Sequence, residues 1–220
     1  MKREIIITSD GSSTIYIPEW NESYHSKNGA IQEAYHVFIN AGYSLVEKQS
    51  INILEIGFGT GLNAFITYLE AKKSNTQINY VGVEAYPVSE DEVNSLNYIE
   101  ELNAKIEKDV FSLMHDSKWD EGIEISSQFK LTKRKQLFQE INDIDCFDLI
   151  YFDAFGFTLQ PELWSEEIFQ SMYDSLLKNG ILVTYACRGS IKRAMLKAGF
   201  KVEKLPGAPG KREMIRGIKV

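Results

Sequence analysis

The chain has 220 residues, 44% of them hydrophobic and 25% charged, with a formal net charge of −7 at pH 7. These values are typical of one globular domain with a substantial core. No apolar run approaches the roughly 18–20 residues that span a bilayer. The amino-terminal residues contain no long apolar segment, so we expect a cytoplasmic protein rather than an exported one. Cys146 and Cys187 lack the partners of a metal site, and a reducing compartment suits them.

The charge is distributed unevenly along the chain. Residues 188–220 contain ten basic and two acidic side chains, a net charge of +8, which leaves −15 for the rest. Such asymmetry indicates a polyanion that docks at one end of the molecule. Solvated helix faces explain the same pattern equally well, so charge alone leaves both interpretations open.

Residues 1–45 are predicted to form an extension that precedes the main domain. Glu4–Thr8 and Thr14–Ile17, separated by a Ser-Asp-Gly-Ser turn, predict a β-hairpin. Apolar residues at helical spacing predict a helix over Ala30–Ala41. The segment 20–29 between them is aromatic and polar without periodicity. Because the extension comes before the first strand of the main sheet, it is a plausible lid over a ligand.

The stretch from Leu54 to Asn63 joins an apolar strand to a helix through a glycine-rich turn. Gly57, Gly59 and Gly61 have the spacing G-x-G-x-G, whereas the dinucleotide fingerprint is G-x-G-x-x-G. Glycines let the backbone of such a turn approach a ligand closely because they carry no Cβ. A nicotinamide oxidoreductase is therefore the weaker interpretation.

An acidic residue at the end of the next strand adds to this pattern. Asn79–Glu84 predicts a second strand that ends in a carboxylate about twenty residues beyond the glycine-rich turn. A carboxylate there can accept hydrogen bonds from both ribose hydroxyls. The turn, its spacing and Glu84 together favour nucleoside binding over an ordinary tight turn. With Glu55 before it, the G-x-G-x-G turn resembles motif I of class I S-adenosylmethionine-dependent methyltransferases, and this resemblance implies a pocket of that type.

From residue 51 onward, strands and helices alternate, which predicts a doubly wound α/β fold. Residues 46–220 are assigned to a Rossmann-like domain of the class I methyltransferase type. Its predicted sheet has seven strands, mostly parallel, with an antiparallel last strand. The strands are Ile51–Leu54, Asn79–Glu84, Gln128–Thr132, Phe147–Phe152, Ile181–Tyr185, Phe200–Leu205 and Glu213–Ile218.

Asp153 directly follows the fourth predicted strand. Ligands of open α/β sheets lie beyond the carboxyl ends of the strands, near the point where the strand order reverses. Asp153 is therefore expected to face the same crevice as the glycine-rich turn. The alternative is an aspartate that caps a turn by accepting hydrogen bonds from backbone N–H groups.

Several stretches together resemble one methyltransferase family. The chain resembles the methyltransferase module of the bifunctional bacterial enzyme that completes 5-methylaminomethyl-2-thiouridine at the tRNA wobble position, and more closely its standalone versions without the flavin-dependent oxidase half. At 220 residues we expect no second, flavin-binding domain. The turn Gly156–Leu159 departs from the proline and lysine common in the family. The matching stretches are Tyr24–Ser26, Asn28-Gly29, Glu33–Phe38, Leu54–Asn63, Phe152–Phe155, Gln160–Trp164 and Gly210–Met214.

The resemblance implies an S-adenosyl-L-methionine-dependent N-methyltransferase that converts 5-aminomethyl-2-thiouridine to its methylated product in tRNA. Asp153 would be the catalytic residue, because a carboxylate can orient the amine and accept its proton. Phe155 and Phe157 could stack on the flipped uridine or could equally be core residues. The basic tail, including Lys211 and Arg212, could meet the phosphates of the anticodon stem-loop. No metal and no membrane are expected. The implied cofactor-binding residues are Asn28, Glu55, Gly57, Gly59, Gly61, Asn63 and Glu84.

Two other functions remain open from the sequence. The first is a class I methyltransferase that acts on a small-molecule or protein amine, and it predicts cofactor binding without any response to RNA. The second is a non-catalytic module that binds S-adenosyl-L-methionine and transfers its methyl group to no acceptor.

Overall fold

The computed structural model describes residues 2–220. The amino-terminal extension forms the predicted hairpin, and a short third strand that was not predicted pairs with it. The predicted helix over Ala30–Ala41 begins as a regular α-helix and continues as a wider π-helical segment over Tyr35–Asn40. The elements of the extension are β1 Glu4–Ile7, β2 Ser13–Ile17, β3 Glu22–Ser23 and α1 Ala30–Ala34.

The extension shares an apolar core with the main domain, in which Val37 and Phe38 are buried, and specific polar contacts add to this attachment. The guanidinium of Arg3 donates to Glu92 at 3.1 Å, and the backbone N–H of Ser13 donates to the side-chain oxygen of Asn97 at 2.7 Å. Glu92 also closes a capping box with Ser89 at the start of a short helix. These contacts hold the extension against the carboxyl edge of the main sheet.

The main sheet contains all seven predicted strands and one more. Gly122–Ser126 forms an additional edge strand that is not among the strands predicted from the sequence. In the numbering used below, the strands of this sheet are β4 Ser50–Ile56, β5 Gln77–Val83, β6 Gly122–Ser126, β7 Phe129–Arg134, β8 Phe147–Phe152, β9 Leu176–Thr184, β10 Lys201–Pro206 and β11 Glu213–Ile218.

The strand order of this sheet is β10-β11-β9-β8-β4-β5-β7-β6. The five central strands are parallel, whereas β6 and β11 run antiparallel to their neighbours. The chain passes from β4 to β5 on one side and later returns to β8 on the other. The strand order therefore reverses between β4 and β8, where open α/β sheets bind their ligands.

Helices cover both faces of the sheet and bury its apolar strands. All six residues of β8 are buried, as expected for a central parallel strand. Asn179 and Gly180 lie inside β9, where the register with β8 is irregular between Phe147 and Leu149. The helices of the main domain are α2 Leu62–Ser74, α3 Glu90–Asn94, α4 Tyr98–Glu101, α5 Lys108–Asp116, α6 Glu166–Ser175 and α7 Gly189–Lys197.

The ring of Phe58, in the glycine-rich turn, packs directly against the backbone of Gly82 in β5. We predict that Gly82→Ala destabilises the fold. A Cβ at this position would overlap the ring of Phe58, which is 3% exposed and cannot move into solvent. Overpacking of this kind costs about 1–3 kcal/mol of the free energy of unfolding. Denaturant titration measures the decrease in stability. Gly189→Ala is the control, because its nearest neighbour is the mobile end of Arg193; equal stability of the two variants would contradict the prediction.

Candidate active site

A cavity of about 1150 Å³ opens at the carboxyl edge of the main sheet. Its walls come from the glycine-rich turn, the residues after β5 and β8, the extension and the loop before β11. This volume is sufficient for a nucleoside cofactor together with part of an acceptor. Seven of the residues singled out in the sequence line it: Gly57, Gly59, Asn63, Glu84, Asp153, Phe155 and Lys211.

Four of the singled-out residues do not line the cavity. Glu55 is completely buried beneath it. Gly61 forms the N-cap of α2. Asn28 is exposed and packs against Gly210, and Arg212 is exposed on the outer surface. Contacts of these four side chains with a ligand in the cavity remain predictions.

The glycine-rich turn has the conformation that its sequence predicts. Gly57, Gly59 and Gly61 all have positive φ angles, of 89°, 48° and 70°. A Cβ on Gly57 would lie 2.7 Å from the backbone oxygen of Asp153, so a larger residue would push the two loops apart. The turn therefore brings bare backbone to the floor of the cavity.

Glu84 occupies the side of the cavity that follows β5. Its carboxylate accepts the backbone N–H of Gly59 at 3.0 Å and that of Tyr86 at 2.9 Å. These two bonds fix its position while leaving lone pairs on both oxygens for further donors. A partly buried carboxylate beside a glycine turn is suited to accept the hydroxyls of a ribose.

Asp153 lies on the opposite side of the glycine-rich turn, at the end of β8. Its Oδ2 accepts a hydrogen bond of 3.0 Å from Nδ2 of Asn63. Burial, with a smaller contribution from the nearby Glu33 carboxylate, raises the pKa of Asp153 to about 7, against the lowering influence of Asn63 and Lys211. A carboxylate with this pKa can accept and release a proton at neutral pH.

Lys211 and Glu33 form an ion pair that faces the cavity near Asp153. The ammonium of Lys211 donates to Oε1 of Glu33 and lies 3.8 Å from the ring centroid of Tyr185. The other oxygen of Glu33 accepts the backbone N–H of Ser26 at 2.8 Å. This pair connects α1 of the extension to the loop before β11, and it directs Lys211 into the site instead of outward.

Aromatic side chains form one wall of the cavity. The ring of Phe155 makes edge-to-face contacts with Trp20, at a centroid distance of 5.4 Å, and with Tyr24, at 5.0 Å. The sequence indicated a functional role for Phe155 but not for Trp20, Tyr24 or the acidic Glu33. The aromatic, aperiodic composition of residues 20–29 was the one local signal for this wall.

Basic side chains also lie outside the cavity on the same edge of the sheet. Arg188 immediately precedes α7, and its guanidinium lies 5.1 Å from the ring centroid of Phe157. Within residues 2–220, no carboxylate forms an ion pair with Arg188, Lys192, Arg193 or Arg212, whereas the other six basic residues after 187 have such partners.

Two classes of site receive no support from this geometry. No group of three or more metal-ligating side chains is present among residues 2–220. No helix in this part of the chain is long and apolar enough to cross a membrane.

Comparisons with known proteins agree with this geometry. A family model described as S-adenosyl-L-methionine-dependent methyltransferase matches residues 99–220, more than half of the chain. Two curated relatives are named tRNA 5-methylaminomethyl-2-thiouridine biosynthesis bifunctional protein MnmC. The Burkholderia thailandensis relative is 30% identical over 97% of this chain and 34% of its own length. The Cupriavidus metallidurans relative is 28% identical over 96% of this chain and 33% of its own length.

The chain thus spans about a third of the length of these relatives. Among solved structures, MnmC2 from Aquifex aeolicus superimposes with a TM-score of 0.77 at 23% identity, covering 98% of this chain and 70% of that one. This similarity shows a shared fold.

The protonation of Asp153 can be measured directly. We predict that the side-chain carboxyl ¹³C resonance of Asp153 titrates with a midpoint of about 7. In Asn63→Ala the midpoint should move higher, because the variant lacks a hydrogen bond that favours the charged carboxylate. Disappearance of the resonance in Asp153→Asn assigns the signal. A midpoint near the ordinary aspartate value of about 3.9 would contradict the prediction.

Proposed function

The chain belongs to the S-adenosyl-L-methionine-dependent methyltransferase family, and from this premise we propose that it methylates the amine of 5-aminomethyl-2-thiouridine at the tRNA wobble position. The observation that carries the proposal is Asp153, a carboxylate with a pKa of about 7 that faces the cavity beside the glycine-rich turn. The names of the curated relatives supply the substrate class.

The residues of the cavity fit the cofactor. We propose that Glu84 accepts the ribose hydroxyls and that Gly57 and Gly59 provide the backbone surface on which the nucleoside rests. The amino-acid end of the cofactor carries one positive and one negative group. Glu33 and Lys211 offer the complementary charges on the side of the turn where Asp153 lies. A Cβ on Gly59 would lie 3.2 Å from the ring of Tyr24, which supports a role for this glycine in keeping the cavity open.

The proposed chemistry is a direct displacement. When bound, S-adenosyl-L-methionine supplies a methyl group that its sulfonium has already activated. Asp153 accepts a hydrogen bond from the amine and directs the nitrogen lone pair toward the methyl carbon. The bound cofactor would supply the methyl carbon, whose bond to sulfur would break as its bond to nitrogen forms, and Asp153 would accept the proton that the nitrogen loses. The raised pKa makes this carboxylate a stronger base than an ordinary aspartate.

The surface around the cavity supports an RNA substrate. An unstacked base can enter the cavity and meet the aromatic wall, which is how proteins read single-stranded loops. Arg188, Lys192, Arg193 and Arg212 are available for phosphate oxygens outside the cavity. Lys211 acts inside the site in this proposal, because Glu33 holds its ammonium there.

The function is tested with methyl-labelled S-adenosyl-L-methionine and tRNA that carries 5-aminomethyl-2-thiouridine. We predict label in that nucleoside after digestion, at a rate that rises with pH as Asp153 loses its proton near pH 7. In Asp153→Asn the rate should fall about 10²–10⁴-fold, because the base is removed, while S-adenosylhomocysteine still binds. Label in free amines or in protein but not in tRNA would contradict the substrate proposal.

The phosphate contacts are tested by the salt dependence of tRNA binding. We predict that Arg193→Glu weakens tRNA binding and makes its salt dependence shallower. The negative slope of the logarithm of the binding constant against log salt should decrease in magnitude by about 0.7–0.9 for each phosphate that the variant no longer neutralises. Lys178→Glu is the matched control, because it reverses one exposed charge at the amino-terminal end of β9, away from the cavity. Equal slopes for the two variants would exclude α7 from the RNA surface.

A further inference from the structure

A buried carboxyl lies directly beneath the proposed active site. Glu55, near the end of β4, is 0% exposed and does not line the cavity. Nδ2 of Asn63 donates to its Oε1 at 2.9 Å. Its other oxygen, Oε2, has no hydrogen-bond partner among residues 2–220. Such a group cannot contact a cofactor in the cavity without a large movement of the sheet.

Asn63 connects this buried carboxyl to Asp153. The same Nδ2 atom donates to Oε1 of Glu55 at 2.9 Å and to Oδ2 of Asp153 at 3.0 Å. A side-chain amide has two N–H donors, and both are therefore used. The oxygen of Asn63 is buried without a partner among residues 2–220, and the buried hydroxyl of Tyr80 lies close to the carboxyl of Glu55. The arrangement leaves buried polar atoms unpaired, and each such atom is destabilising.

We propose that Glu55, acting through Asn63, is a positioning residue that fixes the carboxylate of Asp153 for methyl transfer, and that it does so as an uncharged carboxylic acid. This inference rests on the proposed function of Asp153. It assigns Glu55 a role other than the direct cofactor contact that the sequence motif suggests.

The surroundings of Glu55 favour the uncharged form. Within residues 2–220 no cation pairs with it, and Asp153 and Glu84 are the nearest acidic groups that affect it. Complete burial raises the pKa of Glu55 well above its ordinary value. The negative charges of Asp153 and Glu84 act in the same direction, against the lowering influence of Asn63 and of the Tyr80 hydroxyl. If Glu55 and Asp153 were both ionised, their two carboxylates, which share the amide of Asn63, would repel each other strongly in the water-free interior. One neutral acid and one carboxylate avoid that repulsion.

The groups around Asp153 give Asn63 a specific task. Glu33 from α1 and Tyr185, directly after β9, surround the carboxylate together with Lys211 from the loop before β11. Tyr80 from β5 and Glu55 from β4 lie below it. In the structure, Nδ2 of Asn63 donates a hydrogen bond to Oδ2 of Asp153. Anchoring its second N–H on Glu55 stops the amide from rotating away from Asp153.

Two substitutions separate this role from a structural one. Glu55→Gln keeps the shape and the neutral acceptor, so the acid limb of the pH–rate profile should stay in place and the rate should fall no more than about threefold. Glu55→Leu removes the acceptor, so the rate should fall about 10–100-fold through misplacement of Asp153. In Glu55→Leu the acid limb should also move to higher pH, while KM for tRNA and the Kd for S-adenosylhomocysteine stay near those of the parent.

Other outcomes would overturn the proposal. An acid limb displaced to lower pH in Glu55→Gln would mean that the parent residue is charged. If folded Glu55→Leu does not bind S-adenosylhomocysteine, Glu55 is a cofactor contact. If Glu55→Leu has an unchanged rate and an unchanged pH–rate profile, Glu55 has no positioning role. If Glu55→Leu does not fold, the double-mutant cycle of Glu55→Met with Asn63→Ala decides, because Glu55→Met also removes the acceptor and groups that act as a unit give non-additive effects.

One readout does not require tRNA methylation. The carboxyl ¹³C titration of Asp153, recorded with S-adenosylhomocysteine bound, should shift upward in Glu55→Leu and remain unchanged in Glu55→Gln. If the tRNA assay fails and this titration still responds, the substrate proposal is wrong while the coupling of Glu55 to Asp153 stands. If the midpoint is the same in all three proteins, the coupling is wrong regardless of the substrate.

Discussion

The contact between the ends of two neighbouring strands, β4 and β8, determines the geometry of the whole site. The backbone N–H of Asp153 donates to the carbonyl of Ile56 at 2.9 Å, and Gly57 then passes so close to Asp153 that it has no room for a side chain. The catalytic candidate is thereby fixed beside the glycine-rich turn. Because β5 lies on the other side of β4, Glu84 is placed across the turn from Asp153.

Charge is separated between the inside and the outside of the site. Six carboxylates line the cavity against three cationic side chains: Glu22, Glu33, Glu84, Glu92, Asp153 and Glu162 against Arg3, Lys27 and Lys211. An excess of negative charge there favours a cationic sulfonium and an amine substrate. The basic residues that form no ion pair within residues 2–220 lie outside, around the start of α7, where phosphates can reach them. The net charge of −7 is thus the sum of an acidic cavity and a basic surface outside it, among other groups.

The sequence predicted those parts of the structure that depend on local patterns. Strand β8 was predicted with its observed ends because a fully buried parallel strand is a continuous apolar run. Strand β6 was missed because it is a short edge strand whose residues are mostly exposed or half-buried. The G-x-G-x-G spacing identified the cofactor turn, since the positive φ angles that it requires are a local property of glycine.

Contacts between residues that are far apart in the chain are not marked by any local sequence pattern. Glu33 and Lys211 are 178 residues apart, and neither position indicates an ion pair by itself. Lys211 was therefore interpreted from its basic neighbourhood as a phosphate contact. Glu55 lies within the motif but points into the core, and an apolar run gives no period that distinguishes the two faces of a strand buried on both sides.

The central claim is that Glu84 and Asp153 act on the two ends of one bound cofactor. A crystal structure with S-adenosylhomocysteine tests it most directly. We predict ribose hydroxyls bonded to Glu84, and a sulfur atom that faces Asp153 across a gap just large enough for a methyl group and an amine. A ligand bound with its sulfur turned away from Asp153, or bound outside the cavity, would contradict the claim.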